Sequence, residues 1–320
     1  MTKGEIKDSS PPIPFDDLVR VVLPLLAVDR HAEWHTVGTA FVIATPETKT
    51  ALLLTAAHNL DFVRGIELGP ATHHSSIPAD FRPKIPETVG LRSTEVYFYL
   101  VGRRQRVLAK MQISWFRFAY DMGLVLARIP DGVDEIFESR FALDTRPVEV
   151  GCRVMAVGYP AMKIKSEADF ENHTFAAHFR TQLQCRVGTV CGICPEGAGI
   201  HKWPGFLVNF PLDSGMSGGP IVDIAGPTPA VRGLVGGDFS ESTADGALGS
   251  GLRAFASMLW PPMTAQTNID LVRPDGTPYQ PEPLRLLDLV RHGVISDLGN
   301  AHEHVRFEDT NGTITCQWEP

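Results

Sequence analysis

Long apolar runs are missing from these 320 residues: no stretch approaches the ~18 apolar residues needed to cross a bilayer. The amino terminus, MTKGEIKDSSPPIPFDD, is polar and proline-rich and lacks the apolar centre of a secretory signal. A cytoplasmic protein with no membrane partner is the expectation. No basic face is evident and the formal net charge is −8, which argues against nucleic acid as a partner. Cysteine is scarce and odd in number: Cys152, Cys185, Cys191, Cys194 and Cys316. In a reducing compartment these read as free thiols rather than a disulfide framework. Cys191-Gly-Ile-Cys194, with Cys185 before it and His201 after it, has the look of half a zinc knuckle, but a second CxxC is missing. No metal and no cofactor are expected. Internal repeats are absent, as is the strand–helix alternation that marks a parallel sheet.

Glycine and proline, by contrast, are plentiful, at 29 and 25 residues. Both punctuate strands and interrupt helices, so they favour many short strands joined by tight turns. Two strand-rich blocks stand out. The first contains Leu18 to Val28, Gly38 to Ala44, Lys49 to Thr55, Glu95 to Val101, Arg106 to Ile113 and Gly123 to Arg128. The second contains Arg153 to Gly158, Gln182 to Val190, Phe206 to Phe210, Pro220 to Ile224, Val231 to Val235 and Gly249 to Ala254. Between them, residues 130–147 read as a connector. Residues 61–95, 161–180 and 192–204 read as long polar loops. Ala254 to Trp260 looks like a short helix stopped by Pro261 and Pro262. Pro283 to Val294 reads as an amphipathic helix, and Asn311-Gly312 as the turn of a hairpin. The fold class expected is all-β: two antiparallel six-stranded barrels with a small helix-plus-hairpin extension. The boundaries are a flexible arm over 1–17, a main domain over 18–262 divided near 145/146, and the extension over 263–320, read as a packing supplement.

The sharpest segment is Asp213-Ser-Gly-Met-Ser217-Gly-Gly-Pro220. A serine hydroxyl is a poor nucleophile unless a base takes its proton and something stabilises the oxyanion that forms. Flanking glycines let backbone N–H groups converge on one point, and those of Gly215 and Ser217 are the natural donors. Of eleven histidines only His58 caps an apolar strand, in LLLTAAH, which holds its ring on a rigid element. Asp121 opens the apolar run DMGLVLA. That run should bury its carboxylate, and a buried carboxylate needs a partner such as an imidazole N–H.

Gly38-Thr-Ala-Phe41, Thr55-Ala-Ala-His58, Asp121-Met-Gly-Leu-Val-Leu and Gly215-Met-Ser217-Gly-Gly-Pro together resemble the signature blocks of trypsin-like serine peptidases, in the order His, Asp, Ser. Val157-Gly-Tyr-Pro160 resembles the start of the second barrel in the bacterial, disulfide-free branch. The resemblance covers roughly residues 18–262. It implies a serine endopeptidase acting on protein or peptide substrates, with His58 as general base, Asp121 fixing its tautomer, and Ser217 forming an acyl-enzyme. It places Gly215 and Ser217 at the oxyanion hole. It lines the primary specificity pocket with Pro211, Leu212, Leu234, Val235 and Gly236, and makes Gly233 to Gly237 the strand whose backbone pairs with substrate. One departure is Met216, where many secreted members carry an aspartate that pairs with a new amino terminus on zymogen cleavage. That route of activation is not expected here; control by an activating protein partner is. The alternative is a binding or scaffold module of the same fold whose triad never assembles.

Overall fold

The computed structural model describes residues 13–29, 33–68, 95–103, 105–117, 120–160, 162–169, 174–238, 253–264, 285–310 and 313–319. Barrel one is built from β1 (Val22–Val28), β2 (Trp34–Glu47), β3 (Thr50–Thr55), β4 (Glu95–Val101), β5 (Arg106–Arg117) and β6 (Met122–Arg128). These close antiparallel in the order β1-β2-β3-β6-β5-β4. The second block opens with β7 (Arg153–Gly158), followed by a separate hairpin, β8 (Lys163–Asp169) and β9 (Thr174–Arg180). It continues with β10 (Gln184–Cys194), β11 (Gly205–Val208), β12 (Pro220–Asp223), β13 (Ala230–Asp238) and β14 (Ala254–Met258), closing as β10-β11-β14-β13-β12-β7. The molecule is thus an all-β pair of closed six-stranded antiparallel barrels, the architecture the sequence resemblance implies.

Several strands are apolar on both faces, which explains why their sequences run continuously instead of alternating. In β3, Leu53 points into barrel one while Leu52 and Leu54 join the core between the barrels. In β7, Val154 and Ala156 fill barrel two while Met155 and Val157 join that same central core. Successive side chains of a strand point to opposite faces, so burying both faces needs an unbroken apolar run.

Four expectations change. Leu18 to Val21 is not strand: it belongs to helix α1 (Phe15–Val21), which has Asp16 and Asp17 in its first turn and Arg20 in its last, charges that suit a helix dipole. Helix α2 (Ala57–Leu68) occupies the start of the stretch read as loop, and the rest of that stretch, 69–94, lies outside the described residues. Much of 161–180 is the β8–β9 hairpin. Ala254 to Met258 is strand β14, fully buried between β11 and β13; a short 3-10 helix follows only at Pro261–Thr264. Most of the strand expected at 249–254 lies outside the described residues.

The extension supplies α3 (Leu286–Arg291), α4 (Ala301–His304) and the hairpin β15 (Val305–Thr310) and β16 (Thr313–Trp318). The turn Asn311-Gly312 lies outside the described residues, and Thr310 pairs with Thr313 across it. Leu143 of the connector bridges Val231 on one side and Asp297 on the other. Asp297 accepts from Thr145 N, Thr145 Oγ1, Gly299 N and Ala301 N at 2.7–3.1 Å.

Candidate active site

His58 stands on the first turn of α2, directly after β3. Its Nδ1 lies 2.9 Å from both carboxylate oxygens of Asp121, and its backbone N–H donates to Asp121 Oδ1 at 3.0 Å. Asp121 is 2% exposed and sits at φ +47°, a conformation a side chain adopts at some cost, at the corner leading into β6. Burial pulls the His58 pKa down. The Asp121 charge and hydrogen bond, with a smaller push from Asp61, outweigh it and leave the pKa above the ordinary 6.5. An Nδ1 that donates to a carboxylate leaves Nε2 as the free lone pair, the tautomer a general base needs.

Ser217 comes from barrel two, in the turn before β12, and is half-buried. Its carbonyl accepts from Thr39 N and from Asn59 Nδ2, both at 2.9 Å. Asn59 is the residue after His58, so the serine turn is tied to the corner that carries the imidazole. The approach is close enough to demand glycine: at Gly218, with φ +81°, an added Cβ would run into Thr39 O, Thr55 Oγ1 and Ala56 N. Thr39 is the hub of this seam. Its Oγ1 donates to Gly215 O at 2.7 Å and accepts from Tyr159 N at 3.0 Å, and its carbonyl accepts from Thr55 Oγ1 at 2.7 Å. Thr39, Thr55 and Asn59 were not singled out from sequence as site residues. Thr39 and Thr55 lie inside the quoted blocks and are polar residues in otherwise apolar strands, which is the signal that marks them.

Gly215 has φ +94°. Met216 N donates to Asp213 O, Gly218 N to Val235 O and Gly219 N to Met216 O, whereas the N–H groups of Gly215 and Ser217 have no partner among the described residues. Arg186 pairs with Asp213 Oδ2 through Nη2 and Nε at 2.5 and 3.2 Å, tying this segment to β10. Beside it opens a cavity of about 410 Å³ walled by Thr36, Val37, Met162, Arg186 and Ser214. Met216, in place of an aspartate, is fully buried in the barrel-two core.

Of the residues expected to line the specificity pocket, Leu212 and Val235 have their side chains in the barrel-two core and Leu234 in the central core. Pro211 is half-buried, and Gly236 sits at the bulge between Val235 and Gly237 in β13. The backbone of Val235 is also engaged, donating to Gly219 O and accepting from Gly218 N. Cys191 and Cys194 pack against an aromatic cluster of Trp203 and Phe255. Their thiols are free, and burial raises the pKa of Cys194, with Cys191 adding to it. Among the described residues the trio with ligand atoms mutually within 4.8 Å is Asp29, Glu33 and His35, not the cysteines with His201.

No family model matches the sequence, and no curated protein matches it. Solved structures do. The MamO protease domain from Magnetospirillum magneticum, in its apo form, is 14% identical, with 77% of this chain and 95% of that one covered at a TM-score of 0.42. The thermostable serine protease AL20, from an extremophilic microorganism, is 14% identical over 77% of this chain and 93% of that one, at 0.44. The protease Anisep from Arthrobacter nicotinovorans is 12% identical over 75% and 90%, at 0.42.

Proposed function

We propose that this chain is a serine endopeptidase in which His58, Asp121 and Ser217 form the triad and the Gly215 and Ser217 N–H groups form the oxyanion hole. The observation that carries the reading is the pairing of His58 Nδ1 with a buried Asp121 at the same seam to which the Ser217 carbonyl is tied. Neutral His58 takes the Ser217 proton through Nε2, and Ser217 Oγ attacks the scissile carbonyl. Asp121 stabilises the imidazolium, and the oxyanion is met by two N–H groups that have no competing partner among the described residues. The imidazolium then protonates the leaving amine, and water, activated by the same ring, hydrolyses the acyl-enzyme.

The proposal includes a cytoplasmic setting and control by a partner protein. No helix among the described residues is long and apolar enough to cross a membrane. The partner would act on the segment Asp213–Gly215. Its tether through Arg186 is a half-exposed ion pair, worth only about 0–1 kcal/mol. A binder of the ordered form therefore has a population to shift.

The deciding experiment is labelling of the purified protein by a fluorophosphonate probe, with Ser217→Ala as control, alongside turnover of a peptide ester. Labelling confined to Ser217 supports the reading. An intact, folded protein that never labels and cleaves nothing would leave the silent scaffold in its place. Fast, complete labelling without any partner would remove the regulatory part alone.

A further inference from the structure

Asp121 has φ +47°, and the only other non-glycine residue with a positive φ among the described residues is Asn300, at the start of α4. Such a backbone persists in a non-glycine residue only where the surroundings enforce it. The hydrogen bonds of the Asp121 carboxylate among the described residues all go to one partner, His58. That partner is the group Asp121 has to hold, so it cannot also be the anchor. The sheet takes hold only from Met122, which pairs with Arg117. What fixes the corner has to come from its other side.

The neighbour there is Tyr120, which leads from β5 into β6 of barrel one. Its half-buried side chain packs against the cluster of Trp203, Leu207 and Phe255. Leu207 lies in β11 and Phe255 in β14, so this contact crosses to barrel two. The cluster is a rigid seat. Trp203 Nε1 donates to Ser257 Oγ at 2.8 Å. The ring of His201, 4% exposed, lies flat on Phe255 at 4.3 Å and 2° and meets Trp203 edge-on at 5.2 Å and 81°. The cluster also stands near the triad: burial holds the His201 pKa down at about 4, while Asp121 pulls it up and His58 pushes it further down.

We propose that Tyr120 is a positioning residue for the triad: its ring, seated on the Trp203, Leu207 and Phe255 cluster of barrel two, fixes the corner from which Asp121 reaches His58. The inference rests on the proteolytic reading above and adds a second crossing between the barrels. Thr39 and Asn59 tie the Ser217 turn to the His58 corner; Tyr120 ties the acid to the barrel that carries the nucleophile. Without the ring the corner can relax towards an ordinary backbone and draw the carboxylate away from Nδ1. The charged groups acting on His58 are Asp121 and, more weakly, Asp61 of α2, with His201 facing both members of the pair from barrel two. Of these, Asp121 alone adjoins Tyr120. Weakening its pull lowers the His58 pKa, because burial already acts in that direction.

The test compares wild type, Tyr120→Ala and Tyr120→Phe in peptide-ester turnover across pH, with fluorophosphonate labelling of Ser217 alongside. Misplacing a group by ~1 Å costs about 10² in rate, so kcat in Tyr120→Ala is expected to fall by up to about 10²-fold. KM should stay within about twofold, since the ring does not touch substrate in this reading. The midpoint of the pH profile should move down. Tyr120→Phe keeps the ring and is expected to restore both kcat and midpoint. Adding Tyr120→Ala to Asp121→Asn should cost less than about twofold more, because both act through one group. If Tyr120→Ala does not fold, Tyr120→Leu, which keeps apolar bulk without the ring, must show the same downward shift. Three results would each overturn the inference while labelling still upholds the protease: unchanged kcat and midpoint without the ring, a Phe variant as impaired as Ala, or losses that multiply with those of Asp121→Asn. Absence of labelling in the wild type sinks the protease reading, and the inference with it.

Discussion

Thr39 carries more of the candidate site than its place in an apolar strand implies. One side chain and its backbone touch Ser217, Gly215, Tyr159 and Thr55, which come from both barrels. Thr39→Val keeps the shape but strips the hydroxyl, leaving Tyr159 N and Gly215 O unmatched. We expect a stability loss of about 1–3 kcal/mol by denaturant titration. Because Gly215 O loses its tether, ester turnover should also fall by up to about 10²-fold, the scale of one misplaced oxyanion donor. A melt that drops with turnover intact would separate fold from site and count against the oxyanion role of Gly215.

His58 gives the pH dependence its sign. Its pKa is raised above 6.5 in the fold, so the cation is favoured there. The Asp121 pairing contributes stability that is fully present below pH 6.5 and is lost as pH rises through the folded pKa. Activity runs the opposite way, since only the neutral ring is a base. The profile of kcat/KM should climb with a midpoint above 6.5. Asp121→Asn should lower that midpoint as well as the plateau. A wild-type midpoint below 6.5 would contradict the pairing.

His201 behaves in reverse. Its folded pKa of about 4 means the unfolded chain binds the proton first as pH falls, so stability drains between pH 6.5 and 4. Over 2.5 units that amounts to roughly 3 kcal/mol. Chemical denaturation of wild type against His201→Phe at pH 7 and pH 4.5 should show the variant losing less. Equal losses would mean the ring is hydrated and ordinary.

At the scale of elements, legibility followed run length and apolar content. β3 and β6 could be read because TALLLT and MGLVLAR are short, nearly continuous apolar runs of strand length. β14 was misread because AFASM is as good a helix sequence as a strand, and only its place between β11 and β13 decides it. The β8–β9 hairpin, KIKSEAD against TFAAHFR, hides among polar residues because it lies outside both barrels. The burial of His201 is not legible, since GIHKWPG reads as a loop; what covers it is Phe255, more than fifty residues away in sequence. Cys191 at the β10 bulge and Cys194 at the strand's end pack on that same aromatic cluster. Cys194, half-buried with a raised pKa, is a poor nucleophile and a poor metal ligand. Reductant and chelator should therefore leave ester turnover and melting temperature unchanged. Stoichiometric zinc that disappears with Cys191→Ser would overturn this.

For the whole molecule the question is whether the extension is an accessory or part of the core. Its residues Leu286, Leu289, Ile295 and Ala301 are at most 1% exposed and belong to one cluster. That cluster also takes in Phe41 and Leu52 from barrel one and Met155 and Val222 from barrel two. Burying each larger apolar side chain is worth about 1.5–3 kcal/mol, so stripping the extension removes an amount comparable to the 5–15 kcal/mol by which a domain is stable at all. The polar joint points the same way: Asp297 serves four donors, three of them backbone N–H groups. Asp297→Ala leaves these buried donors unmatched and should cost about 3 kcal/mol or more. Calorimetry is expected to give one transition for the full chain, shifted down as a unit in Asp297→Ala, with the melt and the loss of activity coinciding. A chain ending after Thr264 should be insoluble or molten. If that truncated chain instead folds and labels at Ser217, or if the full chain melts in two steps with activity lost only in the second, the extension is a separate docked unit.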